Sequence, residues 1–321
     1  MTVPTNTLQV YTQVNIREDL INTIYNVDPY KTPFLNMAKR MKANQTHHEW
    51  NTDTLAAQNL SNAAIEGDNP TAQSLAATTR LGNYTQISTK TVQISGTSQA
   101  VIAAGGSNKM GYQLLKKSKE LKRDMEGILT NNAGYNAGAA GTARVTAGIT
   151  AYLGTNTVFQ TGGTPSGANP AALTGADART DNSVTAAITE ANVDSLANKV
   201  FTNSGDGIEF LLVSPTNKQN ISKFTGVGTR FTQVEDKTLK TAVDVYQSDF
   251  GDIKIIPDIF LARSKDVFAI NPQYIRIAYL RTFQTVPLAK TGDSDEKMLL
   301  VEYALEVGNE KALGGIFDTT G

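Results

Sequence analysis

Residues 107–131 read SNKMGYQLLKKSKELKRDMEGILTN, and they form the longest helical pattern in the sequence. Their apolar positions recur at spacings of four, seven, four and three, which is typical of one stripe along an amphipathic helix. At 1.5 Å per residue such a helix is about 35 Å long. Glycines at 105 and 106 and an Asn-Asn-Ala-Gly run from 131 mark its ends. The predicted core stripe consists of Met110, Leu114, Leu121, Met125 and Ile128.

The composition limits the classes of protein to which this chain can belong. It has 321 residues, enough for two ordinary domains, and 40% of them are hydrophobic. Cysteine is absent, so disulfides and thiolate metal sites are excluded. The formal net charge of -1 provides no global basic field for nucleic acid. Apolar runs are too short for a membrane span, and the first residues lack a signal-peptide pattern, so we expect no membrane partner.

The segments before the long helix are predicted to be extended. Residues 1–45 read as an arm with a possible short helix at 16–25, which Asp28-Pro29 and Thr32-Pro33 end. Residues 46–98 alternate in two stretches, 47–55 and 80–95, around a tip of small and polar residues at 58–77. We predict two long strands, each up to about 40–50 Å, joined by a mobile tip. Such a ribbon is marginal alone in water, so the domain body or another subunit must cover it.

The amino-acid composition changes twice in the middle of the chain. Residues 133–183 are dominated by Gly, Ala, Thr and Asn, which favours a long functional or disordered loop with one firmer part at 144–149. Residues 185–262 then read as a small α/β domain. A helix there begins after Thr189 as N-cap and ends near Gly205, and residues 210–213 form a short buried strand.

The last segment, residues 263–321, is rich in strand patterns. Strands are predicted at 266–270, 274–280 and 298–307, with a turn at 290–297. In the last of them every second residue from Leu299 to Val307 is apolar, which predicts one buried face. These strands need a partner layer, and the long helix is the obvious one.

The patterns that would indicate an enzyme are incomplete. His47 and His48 are the only histidines, and neighbours on a strand point to opposite faces, so they make a poor metal pair. Glycines at the helix start lack the Lys-Ser/Thr of a phosphate-binding loop. Glu66 and Asp68 form a candidate carboxylate pair, but no apolar wall surrounds them to raise a pKa. We therefore predict no catalytic residue, no metal site and no cofactor.

Seven short motifs are spread over most of the chain. They are YKTPFL (30–35), EWNTDTL (49–55), IEGD (65–68), RLGNYTQ (80–86), YQSDFG (246–251), LAKTGD (288–293) and LEVGNEKA (305–312). Together with the order of segments, they resemble the major capsid proteins of tailed phages with the Hong Kong 97-type fold. The similarity is sharpest to the family of the phage SU-ten major head protein.

The resemblance implies an α+β fold with named parts. These are an N-terminal arm (1–45), an extended β-ribbon loop (46–98), a peripheral domain (99–184) with the spine helix 107–131, an axial domain (185–262) and returning peripheral strands (263–321). The extended loop would lie over a neighbouring subunit. The candidates for subunit contacts are Tyr30, Phe34, Trp50, Glu66, Asp68 and Arg80.

The resemblance also implies a structural function. Hexamers and pentamers of the chain would form an icosahedral head shell around double-stranded DNA, without sequence-specific binding. Scaffolding, portal and decoration proteins are implied as further partners, and the virion as the location after assembly in the host cytoplasm. An encapsulin-like nanocompartment shell around protein cargo is the alternative, distinguished by the particle contents. A third hypothesis, an unrelated enzyme or binding module, would need a site that the sequence does not offer.

One property of the resembled fold is not expected here. In its founding member, a lysine on the extended loop forms an isopeptide bond with an asparagine of a neighbouring subunit. Residues 43–89 contain no lysine, and Lys90 lies where the predicted ribbon joins the body. We therefore predict a shell without covalent cross-links, in which Glu66, Asp68 and Arg80 make salt bridges between subunits or which needs decoration proteins.

Overall fold

The structure is a computed structural model that describes residues 31–67, 69, 72, 75–101, 109–224, 245–290 and 292–321. The predicted arm therefore lies outside the described residues up to residue 30. The described helices are α1 Pro33–Met37, α2 Gly96–Ala100, α3 Lys109–Thr130, α4 Glu190–Ser204 and α5 Pro215–Ile221. The described strands are β1 Lys39–Lys42, β2 His47–Thr52, β3 Thr79–Tyr84, β4 Gln86–Ser95, β5 Thr157–Phe159, β6 Phe210–Val213, β7 Val245–Ser248, β8 Gly251–Pro257, β9 Val267–Ile270, β10 Ile275–Pro287, β11 Ser294–Val307 and β12 Gly314–Phe317.

Three sheets organise these strands. A four-stranded sheet has the order β1-β10-β11-β4, with β1 parallel to β10 and the other pairs antiparallel. A six-stranded sheet has the order β5-β12-β9-β6-β8-β7, and β2 pairs with β3 alone. Helix α3 packs on β4 and β11, while α4 packs on β5 and β12. One hydrophobic core combines residues of α3 with residues of both large sheets, and a second combines residues of α4 and α5 with residues of the six-stranded sheet.

The long helix forms where its periodicity predicts it. Leu121 and Met125 are buried, whereas Met110, Leu114 and Ile128 are half-buried. Leu129, which the predicted stripe omits, is fully buried. The deeply buried positions are therefore four residues apart and concentrated in the C-terminal half of α3, the half that also contacts α1.

The caps predicted for the second long helix are present. The Thr189 hydroxyl accepts a hydrogen bond from the Asn192 N–H at 3.3 Å at the start of α4. Gly205 ends the helix in the left-handed conformation at φ +75°, which a side chain would disfavour. Local residue preferences therefore fix both ends of this helix.

The ribbon is shorter than predicted. The stretch interpreted as one strand, residues 80–95, is broken at Thr85 into β3 and β4. Six residue pairs join β2 to β3, about 20 Å of ribbon, whereas β4 pairs with β11 in the body. The break is fixed because the buried Thr85 donates its N–H to the Thr46 carbonyl and its hydroxyl to Glu302.

The Gly/Ala-rich segment is packed, contrary to the expectation of a loose loop. Its residues Ile149, Tyr152 and Leu153 lie in the core beside α3. The Asn83 amide holds it by accepting the Ala147 N–H at 2.9 Å. Gly148 is required where the chain passes α3, because a Cβ there would lie 1.9 Å from the Asn131 carbonyl oxygen. Side-chain amides and close backbone contacts replace periodic secondary structure here.

The six-stranded sheet crosses the predicted boundary at residues 262 and 263. Strand β9 pairs with β6 on one side and with β12 on the other, and β12 pairs with β5. The sheet therefore combines strands from the predicted axial segment with strands that precede and follow it. The two parts share one continuous hydrogen-bonded layer.

Candidate assembly surface

The loop between β2 and β3 is exposed along its whole described length. Every described residue from 53 to 78 is exposed, although the loop carries four large apolar side chains. Leu55, Leu60, Ile65 and Leu75 have 99%, 90%, 79% and 96% of their surface accessible. Burying such side chains is favourable by about 1.5–3 kcal/mol each. The described part of this chain provides no surface for them, so we expect the contact from outside the chain.

The base of this loop is fixed by two buried carboxylates on β11. Glu302 accepts hydrogen bonds from Arg144 at 2.6 Å and from Arg281 at 2.7 Å. Burial alone would raise the pKa of Glu302, but the hydrogen bonds from Arg281 and Thr85 hold that pKa below its usual value. The carboxylate therefore stays charged and anchors the point where β3 leaves the body.

A second carboxylate holds the other strand of the ribbon. Glu306 lies 2.8 Å from Nε2 of His48 on β2 and accepts a hydrogen bond from Arg276 at 2.7 Å. Burial opposes its ionisation, yet the hydrogen bonds from His48 and Arg276 lower the pKa of Glu306. Both strands of the ribbon are thus attached to β11, and the exposed loop extends from a rigid base.

Two predicted contact residues face their own chain. The prediction that Phe34 contacts a neighbouring subunit is corrected, because this residue is 1% exposed and lies in the core below α3. Trp50 is half-buried, with its ring 5.8 Å from that of Tyr152. Trp50 Nε1 is buried and has no hydrogen-bond acceptor among the described residues.

The charged contact candidates behave differently from one another. Glu66 is exposed on the loop. Arg80 is also exposed, but it makes a bidentate pair with Glu49, at 2.7 Å from Nε and 2.5 Å from Nη2. Tyr30 and Asp68 lie outside the described residues. The structure therefore brings Arg80 to a carboxylate of its own ribbon and leaves Glu66 open to solvent.

A buried glutamate, which sequence reasoning missed, ties the end of the arm to the long helix. Glu126 of α3 accepts the N–H groups of Phe34 at 2.6 Å and Leu35 at 2.9 Å, so it caps α1, where Thr32 provides no side-chain cap. Burial raises the pKa of Glu126 to about 8, and the like charge of Asp258 adds to the effect. Glu126 is therefore protonated at neutral pH.

Sequence patterns predict neither the burial of Glu126 nor the exposed apolar residues of the loop. Position 126 lies on a charged face of α3, so nothing in the helical period marks it as buried. The four apolar residues of the loop are five, five and ten apart, which fits neither a helix nor a strand. Proline at the first position of α1 was the one available signal, because a helix start there needs acceptors for its N–H groups.

No group of three His, Cys, Asp or Glu side chains among the described residues is arranged to hold a metal ion. Of the described helices, none combines the length and the apolar character that a membrane span requires. The exposed loop on its charged base is thus the surface with the clearest functional indication.

Comparison with known proteins identifies the family. The family model of the SU10 major capsid protein matches residues 3–320. The chain belongs to the SU10 major capsid protein family. The resemblance that the sequence motifs indicated is therefore confirmed. A curated relative in sequence, the major capsid protein of Escherichia phage Phieco32, is 37% identical over 119 residues. That match covers 37% of this chain and 34% of the relative, about a third of its length.

Solved structures agree on the fold of this SU10-family chain. The capsid asymmetric unit of Cyanophage A-1(L) matches with a TM-score of 0.67 at 13% identity, covering 98% of this chain and 100% of that one. An encapsulin complex from Synechococcus elongatus matches with a TM-score of 0.55 at 11% identity, covering 95% and 92%. At such identities the likeness shows the fold alone. The predicted α+β fold of the Hong Kong 97 type is confirmed.

Proposed function

We propose that copies of this chain assemble into the icosahedral head shell of a tailed phage, which encloses the double-stranded DNA genome. One observation carries the proposal: a rigidly anchored loop exposes Leu55, Leu60, Ile65 and Leu75 to solvent. Membership of a major capsid protein family supports the same function. Obligate interfaces of several thousand Å² bury surfaces of this kind, and repetition of one heterologous contact closes rings such as hexamers and pentamers.

The parts of the fold would then have distinct roles in the shell. The extended loop, residues 46–98, lies over a neighbouring copy, and residues 1–45 form the arm. The helix 107–131 is the spine of the peripheral domain, which comprises residues 99–184 and 263–321. Residues 185–262 form the axial domain near the five- and six-fold axes. The sheet pairing between β9 and β6 supports mechanical continuity between axial and peripheral parts.

The proposal extends to location and partners. The shell belongs to the virion and is assembled in the host cytoplasm. Scaffolding and portal proteins direct assembly, and decoration proteins bind the finished surface. Salt bridges between subunits involve Glu66 and Asp68, while Arg80 is engaged by Glu49 within its own chain and would have to exchange partners. The function is structural and needs no catalytic group.

A nanocompartment shell is the second candidate, because an encapsulin complex shares the fold. Its 11% identity carries no information about contents, whereas the family match favours a phage head. Particles isolated from the native source distinguish the two functions. Genome-length DNA indicates the phage head, and a single enclosed protein species indicates the nanocompartment.

Negative-stain electron microscopy of the expressed chain tests the shell. We expect closed shells or ring-shaped capsomers from the wild-type chain. Replacing Leu55 and Leu60 together with serine should abolish them, whereas Leu60→Met, which keeps the apolar surface, should not. A compact monomer at every concentration and ionic strength tested would contradict the proposal.

A further inference from the structure

A positively charged groove lies between α1, β1, α3 and β10. It consists of two adjoining cavities of about 310 Å³ and 650 Å³, which share Arg40, Tyr279 and Phe283. None of the described residues lining either cavity is acidic. The cationic side chains that line this groove are Lys31, Arg40, Lys42, Lys119, Lys122 and Arg281.

Four of these six cations have no carboxylate partner among the described residues. Within the described residues, no ion pair involves Lys31, Arg40, Lys42 or Lys122, while Arg281 is paired with Glu302. Some cations on other surfaces are paired with carboxylates, among them Lys117 with Glu120 at 2.7 Å, Lys90 with Asp124 at 2.6 Å and Lys290 with Asp295 at 2.6 Å. In a chain of net charge -1, the groove is therefore a local concentration of unpaired positive charge.

Four of the cations lie on two elements, β1 and α3, next to an aromatic side chain. Arg40 and Lys42 are two residues apart on β1, so their side chains share one face. Lys119 and Lys122 are three apart on α3 and are neighbours on its surface. Phe283 lines both cavities, and its ring centroid lies 5.9 Å from the Lys122 ammonium. Cations from two elements along one groove suit an extended anion better than a single small one.

Protection of an edge strand explains only part of this arrangement. Strand β1 is at the edge of its sheet, and lysines commonly discourage pairing there. That accounts for Arg40 and Lys42. It does not account for the cations that α3 contributes, nor for a lining without carboxylates on a chain with 30 acidic residues.

We propose that this groove binds the phosphodiester backbone of double-stranded DNA without reading its sequence. Phosphate contacts from lysine and arginine give salt-dependent affinity and no base specificity. The inference rests on the proposed function, because the shell is what brings the chain to DNA. The contact is local to each subunit, so a neutral shell touches the packaged DNA at repeated points instead of adhering to it along its length.

Fluorescence anisotropy of the full-length chain with a short labelled duplex tests the groove. We expect binding at about 50 mM salt that weakens steeply towards 200 mM, linearly on a double-logarithmic plot. The double variant Arg40→Gln/Lys122→Gln should weaken binding and reduce the slope by about 2, because two phosphate contacts are lost. The matched control Lys117→Gln/Lys290→Gln removes the same charge from paired sites and should leave affinity and slope close to wild type.

Several outcomes would overturn the inference. Two of them are absence of duplex binding at low salt and equal losses of duplex affinity in the two double variants. A third is tighter binding of single-stranded than of duplex DNA. A fourth is displacement of the duplex by polyglutamate at a lower concentration than by unlabelled duplex. The last result would assign the groove to an acidic protein segment. If Arg40→Gln/Lys122→Gln forms no shells but still binds DNA, the groove is an interface between copies of the chain.

The two proposals can fail separately. Shells without duplex binding would remove the groove and keep the shell function. Duplex binding by a wild-type chain that never forms shells would do the reverse. Both substituted side chains are exposed, so we expect the urea unfolding midpoint of the variant to stay unchanged.

Discussion

Residues 299–307 of β11 and residues 53–67 of the loop lie in opposite environments. Every residue of the first stretch is buried, including the carboxylates of Glu302 and Glu306. Every residue of the second is exposed, including Leu55, Leu60 and Ile65. Charges lie inside the molecule and leucines outside it. The β11 stretch contacts partners within the chain, such as the two guanidinium groups that bind Glu302. The apolar side chains of the loop have no such partners among the described residues.

This contrast separates stability from assembly within one chain. The body around β11 and α3 contains the paired charges and packed side chains that a subunit needs to fold by itself. The loop contributes little to that balance, because a side chain that is exposed in both the folded and the unfolded chain gains nothing on folding. Its apolar surface becomes useful only when another copy covers it.

The largest effect should come from the same substitution made in the two regions. Leu305→Ala in β11 should lower the free energy of unfolding of the subunit by about 2–5 kcal/mol, because it opens a cavity at a fully buried site. Leu60→Ala in the loop should change it by less than about 0.5 kcal/mol. Urea unfolding of unassembled subunits measures both, and equal losses would end the distinction between body and loop.

The next effect concerns pH and the α1–α3 contact. The folded pKa of Glu126 lies near 8, above its ordinary value of 4.5. The folded chain therefore binds more protons than the unfolded one between these values, and stability from this site falls as pH rises from about 4.5 to about 8. The fall should amount to a few kcal/mol at most.

Unfolding measured across that pH range in wild type and Glu126→Gln tests this. The variant loses one backbone acceptor and should be less stable at low pH, but its stability should lose the downward slope above about pH 6, the pKa to which burial raises Asp266. Glu66→Gln, on the exposed loop, is the control and should follow the wild-type curve. A variant with the full wild-type slope would place the titrating group elsewhere.

The β11 carboxylates should show the opposite sign. The folded pKa of Glu302 is lowered, so its stabilising contribution is present above the unfolded value and is lost as pH falls through the folded one. Glu302→Gln should cost about 1–3 kcal/mol at neutral pH, reduced because Arg144 and Arg281 are partly exposed and can turn to water. A neutral result would mean that the ribbon base is held without this charge.

The smallest effect is expected at the surface of the ribbon. Arg80→Ala removes the pair with Glu49, but exposed pairs contribute about 0–1 kcal/mol. Subunit stability should therefore barely change, and added salt should reduce the difference further. If shells of this variant are weaker than the subunit measurement suggests, Arg80 exchanges Glu49 for a neighbouring carboxylate on assembly.

We expect no covalent bonds between subunits. Lys90, the one lysine in residues 46–98, lies in β4 and is paired with Asp124 at 2.6 Å. Shells boiled in detergent should therefore release the chain at its monomer mass of 34.4 kDa. A ladder of multimers on the gel would disprove this, and mass spectrometry would locate the bond.

The elements predicted well are those whose residues carry the full signal locally. Helix α3 follows from its apolar stripe, α4 from Thr189 and Gly205, and β6 from its short apolar run. The seven motifs, together with the order of the segments, indicated what periodicity cannot, the family.

The missed features depend on contacts between distant segments. The break at Thr85 follows from Glu302, more than two hundred residues away, and the alternating pattern gives no hint of it. Glu302 and Glu306 lie on the face of β11 predicted to be exposed, and they are buried because the ribbon base covers that face. The segment 133–183 packs through amides such as Asn83 and has no period to detect.

Amide hydrogen exchange in the loop, measured in free subunits and in assembled shells, tests the central contrast most directly. We predict rapid exchange at residues 53–67 and 75–78 in the free subunit and slow exchange in the shell, because neighbouring copies supply the missing contacts. Residues 299–307 should be protected in both states. Strong protection of the loop in the free subunit, or rapid exchange there in the closed shell, would contradict the account.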